Sequence, residues 1–465
     1  PIFLALIATH YCKFYPDLRA PAHGFCGIPG AFQGAKRYLC EVPETSVSYA
    51  APTSAGFDAT VALPGSKSLT NRELVLSALA SQPSELIDPL ISRDTRLMIE
   101  ALEKLGARFE RSGESLRVTP GNGSQDASID CGLAGTVMRF VPPVAALANG
   151  RIEFDGDAAA RRRPMITTID SLESLGVRVE YERKALPFAV VGKGEVPGGE
   201  LSIDASASSQ FVSGLLLSAA RFSGGLTLSH SGATLPSMPH IEMTLATLAG
   251  RGVNARQTSA SSWRVEPGEI AGARVQIEPD LSNAGPFLAA ALVTGGTVRI
   301  PNWPTETTQV GADFAWLLSE MGAHVSLTEG TLTLTGTGTI NGIDADLSAA
   351  GELTPTIAAI AALGSTPSKL TGIAHLRGHE TDRIAALVTE INSLGGVATE
   401  LEDGIAISPG NLSGGTWHSY EDHRMATAGA IIGLVVPGVV VDDIATTSKT
   451  LPDFVGMWEK MLGLR

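Results

Sequence analysis

The feature that most constrains this chain is a repeat. Five times a helix-like stretch ends in a short glycine signature: Leu105-Gly106-Ala107, Leu175-Gly176-Val177, Arg251-Gly252-Val253, Met321-Gly322-Ala323 and Gly395-Gly396-Val397. The repeats lie about 70 to 76 residues apart, too long for a solenoid unit of about 20 to 50 residues. The spacing suits a unit of two helices and several strands, with glycine just past the last turn supplying a left-handed C-cap. Alternating segments follow, such as 323–327 and 331–335 around Glu329-Gly330, and 397–407 around Asp403-Gly404. Both have the pattern of a hairpin. A last helix near 454–461 ends in Leu462-Gly463 and lacks a following strand, for which 58–63 is a natural donor. The reading is an α/β chain of six units, three per domain, with the N-terminal strand completing the C-terminal domain.

A length of 465 residues fits two large domains rather than one core. We expect residues 51–64 and 279–465 to form one domain and 65–278 a second, inserted domain. Residues 1–50 hold Cys12, Cys26 and Cys40 without a sustained period and are expected to be a disordered extension. Apolar residues at 44% and charged ones at 18% are the balance of a soluble globular protein. The net charge of −14 argues against a nucleic-acid or anionic-membrane surface. It leaves room for small anionic substrates, because a few cations focused in a cleft outweigh a distant acidic exterior.

Four cysteines without a CxxC pair indicate neither a disulfide framework nor a zinc site. No run of 18 apolar residues is present, and residues 1–8 are apolar without a basic leader. A cytoplasmic, monomeric protein without a signal peptide is therefore expected.

Chemistry concentrates in short clusters of glycines, hydroxyls and cations. Pro64-Gly65-Ser66-Lys67-Ser68-Leu69-Thr70-Asn71-Arg72 leads into a helix signalled by Thr70 and Glu73 at capping-box spacing. Such a helix start favours anions, yet no Walker loop fits. Gly132-Leu133-Ala134-Gly135-Thr136-Val137-Met138-Arg139 is a second candidate cradle, and Arg161-Arg162-Arg163-Pro164 a third piece. Ser208-Ser209-Gln210 precedes an apolar helix, and Ser237 lies in a turn. His379-Glu380-Thr381-Asp382-Arg383 resembles a zinc-binding HExxH until Arg383 takes the second histidine position. Glu421-Asp422-His423-Arg424 and Ser448-Lys449-Thr450 complete the set. Each alone has a bland reading as a capped or solvated helix start. Together they suit two domains facing each other across a cleft for several anionic groups.

These motifs resemble, in order, those of the EPSP synthases (3-phosphoshikimate 1-carboxyvinyltransferases). PGSKSxxNR, AGTxMR, RRP, SSQF, ETDR, DHRM and SKTxPD run through nearly the whole chain from about Thr60 to Trp458. The resemblance implies the two-domain enolpyruvyl transferase fold, six βαβαββ units around an interdomain cleft. It implies that Lys67 touches both substrates and that Ser68 and Arg72 hold the shikimate. Ser208, Ser209 and Ser237 would bind its phosphate, with Gln210 alongside. Gly135, Arg139, Arg163, Gln210, Arg383, Arg424 and Lys449 would hold phosphoenolpyruvate. Glu380, with Lys67 nearby, would transfer the proton at the methylene, making Lys67, Glu352 and Glu380 the implied catalytic set. Glu352 stands where the family commonly has the aspartate that accepts the hydroxyl proton.

Other departures are His379 for a lysine, His375 for an asparagine, Leu133 for an asparagine, Phe140 for a proline and His240 for a tyrosine. Similar changes occur in actinobacterial members. Because free histidine titrates near neutrality, His375 and His379 are expected to affect shikimate 3-phosphate affinity and its pH dependence. The implied activity needs no cofactor and no metal, and room beside Gly135 implies inhibition by glyphosate.

Two rival readings exist. The sister UDP-N-acetylglucosamine enolpyruvyl transferase carries a reactive cysteine shortly before the arginine matching Arg163, where Asp157-Ala158-Ala159-Ala160 has no thiol. A non-catalytic phosphometabolite-binding relative would be expected to lose its carboxylates, which are present here.

Overall fold

A computed structural model describes residues 46–465 other than Asn122 and Ser124. Residues 1–45 of the expected extension lie outside the described residues. Residues 46–50 do not behave as an extension: Tyr49–Ala50 is a strand paired antiparallel with Val439–Val441, Tyr49 opposite Val441.

The repeat is a sheet-and-helix unit. In the unit spanning Ala127–Asp130 to Phe188–Lys193, two parallel strands are joined through the helix Gly135–Ala145. A second helix, Ile166–Ser174, then leads into the antiparallel hairpin Arg178–Tyr181 and Phe188–Lys193. Parallel neighbours need a crossover of a dozen residues or more, usually a helix, which explains the repeat length. Five sheets have four strands in this order and one has three. The signature glycines Gly106, Gly176, Gly252, Gly322 and Gly395 all have φ between 76° and 109°, as a left-handed C-cap requires.

Three sheets borrow a strand from far along the chain. Asp58–Thr60 pairs in parallel with Thr297–Ile300, and Arg274–Gln276 pairs in parallel with Ser84–Ile87. The donor strand 58–60 thus completes the unit that begins the second half. The last sheet, Gly415–Trp417 with Val439–Val441, takes Tyr49–Ala50 instead. The expected match of 58–63 to the last copy therefore differs from the structure, because the sheet a strand joins is set by tertiary pairing and not by repeat count. The first two crossings run side by side, with Ser66 N–H donating to the Glu278 carbonyl (2.8 Å) and Asp280 N–H to that of Pro64 (2.9 Å).

Each half has its own apolar core, one built from residues 74–270 and one from 281–461 with Val61. Three mutually packed helices centre each core: Lys67–Leu79, Gly135–Ala145 and Gln210–Ala219 in the first, Leu281–Thr294, Thr354–Ala362 and His423–Gly433 in the second. Gly135–Ala145 and Thr354–Ala362 are buried along their whole length. No helix among the described residues is long and apolar enough to cross a membrane.

Candidate active site

Much of the chemistry sits where these six central helices begin, joined by Glu380 and Arg383 at the start of a further helix, Arg383–Ser393. Fully buried helices leave their first N–H groups and the positive end of the dipole at one exposed point. All six starts contribute to one connected region between the halves. Its main cleft holds about 900 Å³ counting the open mouth.

The first helix starts earlier than Thr70 and Glu73 suggest. Ser66 caps it by accepting from Leu69 N–H, so Lys67 and Ser68 occupy its first turn. Thr70 and Glu73 serve tertiary bonds instead: Thr70 Oγ1 accepts from Leu90 N–H (3.1 Å), and Glu73 accepts from the buried Arg251 (2.9 Å). Lys67 lies 3.7 Å from the buried Asp94, and its N–H donates to Asp280 (2.9 Å). Arg72 is buried and well supplied, donating to Thr244 Oγ1 and the carbonyls of His240 and Ser68. Burial pulls its pKa down to about 9 against the opposing pull of Glu352.

Around Gly135 the guanidiniums of Arg139 and Arg163 reach only main-chain carbonyls and the Met138 sulfur, at 3.4–3.5 Å. A Cβ there would lie 3.0 Å from Gln210 Oε1, 3.1 Å from Arg163 Nη1 and 3.3 Å from Arg139 Nη1. Arg139 Nε, Arg163 Nε and Gln210 Oε1 are all buried without a hydrogen-bond partner. Burial and then the Arg163 charge disfavour the Arg139 guanidinium, lowering its pKa well below the usual value. Buried polar groups are ordinarily satisfied, so two guanidiniums and an amide around a gap fit an anionic ligand with acceptor oxygens.

The opposite wall is carboxylate-rich. Arg383 grips Asp422 through Nε (2.7 Å) and Nη2 (3.2 Å), and its Nη2 also reaches Glu380 (3.0 Å). Lys449 donates to the other Glu380 oxygen. Burial alone would raise the Glu380 pKa, but Lys449, Arg383 and Arg163 outweigh it and hold it well below the usual range. Glu352 behaves alike: burial is overridden by Arg424, His240 and Ser282, and it too stays well below. Both are ionised carboxylates at neutral pH.

The two histidines in place of lysine and asparagine do not titrate near neutrality. Burial and Arg383 push His375 down to about 4, and burial with Arg383 holds His379 well below its usual value. His379 lines the cleft. His375 stands behind it, ring centroids 5.8 Å apart, with its Nε2 against Gly351.

Of the residues singled out from sequence, Lys67, Ser68, Arg72, Gly135, Arg139, Arg163, Ser208, Gln210, Glu352, His379, Glu380, Arg383 and Arg424 line the cleft together. Ser209, Ser237, His375 and Lys449 do not. Ser209 is the buried cap residue of Gln210–Ala219, and Ser237 donates its N–H to the Ser348 carbonyl across the halves (3.2 Å). Sequence reasoning missed Asp94, Asp280 and Ser282. Asp280 had a legible signal, a helix-capping position ahead of an apolar run; Asp94 had none.

A two-domain α/β fold of six such units, with its charged groups shared across the cleft, defines the enolpyruvyl transferase class. Its fold matches EPSP synthase from Acinetobacter baumannii in two structures. One gives TM-score 0.74 at 23% identity, covering 90% of this chain and 98% of that one. The other gives 0.72 at 22%, covering 89% and 98%. In sequence, the family model "EPSP synthase (3-phosphoshikimate 1-carboxyvinyltransferase)" matches residues 53–458. The 3-phosphoshikimate 1-carboxyvinyltransferase of the actinobacterium Kocuria rhizophila is 59% identical over 416 residues, 87% of this chain and 94% of that protein. The chain belongs to the EPSP synthase family.

Proposed function

We propose that the chain transfers the enolpyruvyl group of phosphoenolpyruvate to the 5-hydroxyl of shikimate 3-phosphate, releasing phosphate on the route to chorismate and the aromatic amino acids. The carrying observation is the group Arg139, Arg163 and Gln210 around Gly135, each with one buried polar atom that lacks a partner, facing the ionised Glu352 and Glu380 across the cleft. The first receives a small anion; the second can move protons beside it.

The reaction is addition followed by elimination. The hydroxyl oxygen bonds to C2 of phosphoenolpyruvate, its proton passes to Glu352, and C3 gains a proton. In the second step the C2–phosphate bond breaks, C3 gives a proton back, and the phosphate leaves with the proton held by Glu352. Glu380 is the group assigned to C3. In the unliganded charge balance it is ionised by Lys449 and Arg383, so it must first take up a proton. Phosphoenolpyruvate supplies the reason: its oxygens compete for those same cations, and added negative charge raises a neighbouring carboxyl pKa.

Lys67 is assigned to both substrates, and Arg424 and Lys449 to phosphoenolpyruvate with Arg383. Ser68, Arg72, Ser208, Ser209, Ser237, His375 and His379 are assigned to shikimate 3-phosphate. We assign residues 51–64 with 279–465, and 65–278, to two domains that close on the substrates. A cytoplasmic monomer inhibited by glyphosate completes the reading.

The test is phosphate release from phosphoenolpyruvate with and without shikimate 3-phosphate, in the wild type and in Lys67→Ala. Release that requires both substrates and falls about 10²-fold or more in the variant is expected. A well-folded protein that binds both without releasing phosphate would overturn it.

A further inference from the structure

We propose that His240 is the positioning residue that fixes the proton-accepting carboxylate Glu352 from the opposite side of the cleft. The inference rests on the reading of Glu352 as base. Glu352 lies on the short turn Gly351–Leu353, immediately before the helix Thr354–Ala362. Its Oε1 is served from its own half, by Ser282 Oγ and by Arg424 Nη2 at 3.7 Å. Its Oε2 has His240 Nε2, 3.2 Å away and from the other half. An ionised carboxylate only accepts, so this ring nitrogen carries the hydrogen and donates it. Glutamate has one more rotatable bond than aspartate, and tethering Oε1 alone would leave the carboxylate free to swing about that point.

The ring is well aimed. Ser237, left-handed at φ 55°, opens the helix Met238–Gly250 and donates its N–H across the cleft to Ser348. His240 N–H donates to the Ser237 carbonyl (3.0 Å), and the His240 carbonyl accepts from Arg72 Nη2 (2.8 Å) and Thr244 Oγ1 (2.9 Å). The buried arginine of the first half thereby sets the backbone that carries the imidazole. The titratable and charged groups acting on Glu352 or sharing its surroundings are Arg424, His240, Asp280, Arg72 and Arg383. Only His240 and Arg72 among them come from the first half, and only His240 bonds to the carboxylate.

The experiment combines His240→Phe, His240→Gln and His240→Asn with Glu352→Gln. Loss of a hydrogen bond to a charged group should lower kcat about tenfold or more in His240→Phe, with both KM values within about threefold. The acid limb of kcat should move up by about one pH unit as Glu352 loses its donor. His240→Gln, whose amide reaches, should restore kcat to within about threefold, while the shorter His240→Asn should not. In the Glu352→Gln background, His240→Phe should change kcat by less than about twofold, since the coupling is gone.

Wild-type kcat and an unmoved acid limb in His240→Phe would overturn the proposal, as would an equal loss in both backgrounds. Should His240→Phe fail to fold, the contrast between Gln and Asn decides. If Glu352→Gln itself kept wild-type kcat, the base assignment would fall; an inactive Glu352→Gln beside an unaffected His240→Phe would sink the positioning role alone.

Discussion

The two walls of the cleft solve the same problem in opposite ways. The first half offers Arg139 and Arg163 with buried, unpartnered Nε groups, whereas the second half ties Arg383 to Asp422 and Glu380, and Lys449 to Glu380. One wall bears the cost of burying uncompensated cations and is ready for an anion. The other is self-neutralised, and its cations must be shared when an anion arrives. Ligand binding therefore should relieve the first wall and recharge the second, which couples substrate arrival to protonation of Glu380.

The largest expected effect separates the walls by stability. Arg383→Ala would leave Asp422 buried with its charge uncompensated, and breaking such a pair costs about 3–5 kcal/mol. Arg139→Met removes a buried charge without a carboxylate partner, so stability should stay within about 1 kcal/mol of wild type or rise. The same substitution should raise the KM for phosphoenolpyruvate by roughly a hundredfold, as a lost charge-assisted contact. Urea unfolding of both variants, beside steady-state kinetics of Arg139→Met, checks this. Equal destabilisation by the two would erase the contrast.

A smaller effect comes from the space between the first wall's cations. In Gly135→Ala the added methyl meets Gln210, Arg163 and Arg139 at 3.0–3.3 Å. These neighbours must move outward, and overpacking of this kind costs enough to raise the KM for phosphoenolpyruvate about tenfold. The KM for shikimate 3-phosphate should change little. A uniform rise in both would mean that the methyl disturbs the cleft as a whole.

Much of this arrangement was legible in sequence because its motifs are contiguous and sit at helix starts, where Lys67, Gly135, Gln210 and Arg424 are placed by local geometry. What was hidden depends on contacts between distant positions. Thr70 and Glu73 match a capping box, yet Leu90 and Arg251 claim them and Ser66 caps the helix. Asp280 reaches the Lys67 N–H across 213 positions, which no periodicity reveals. The repeat showed that the last copy lacks a strand, but the strand 58–60 pairs with Thr297–Ile300 and the last sheet recruits Tyr49–Ala50. The ionisation of His375 and His379 was likewise unreadable, because burial and the Arg383 charge decide it.

His375 gives the smallest effect and the sharpest sign. Its pKa is about 4 in the fold against about 6.5 when free. Between those values the unfolded chain holds a proton that the folded chain lacks, so folding stability falls as pH drops from about 6.5 toward 4. Above that window both states are neutral and His375 contributes no pH dependence. Asparagine does not titrate, so His375→Asn should lose stability less steeply on acidification, by no more than about 3 kcal/mol at pH 4. His379 shifts in the same direction, so the slope should shrink rather than vanish. At pH 7.5 kcat and both KM values should stay within about threefold, since a neutral ring is exchanged for a neutral amide. Urea midpoints of the two proteins at pH 7.5, 6 and 5 measure this directly. An unchanged slope would mean that the second wall does not hold His375 neutral in the fold.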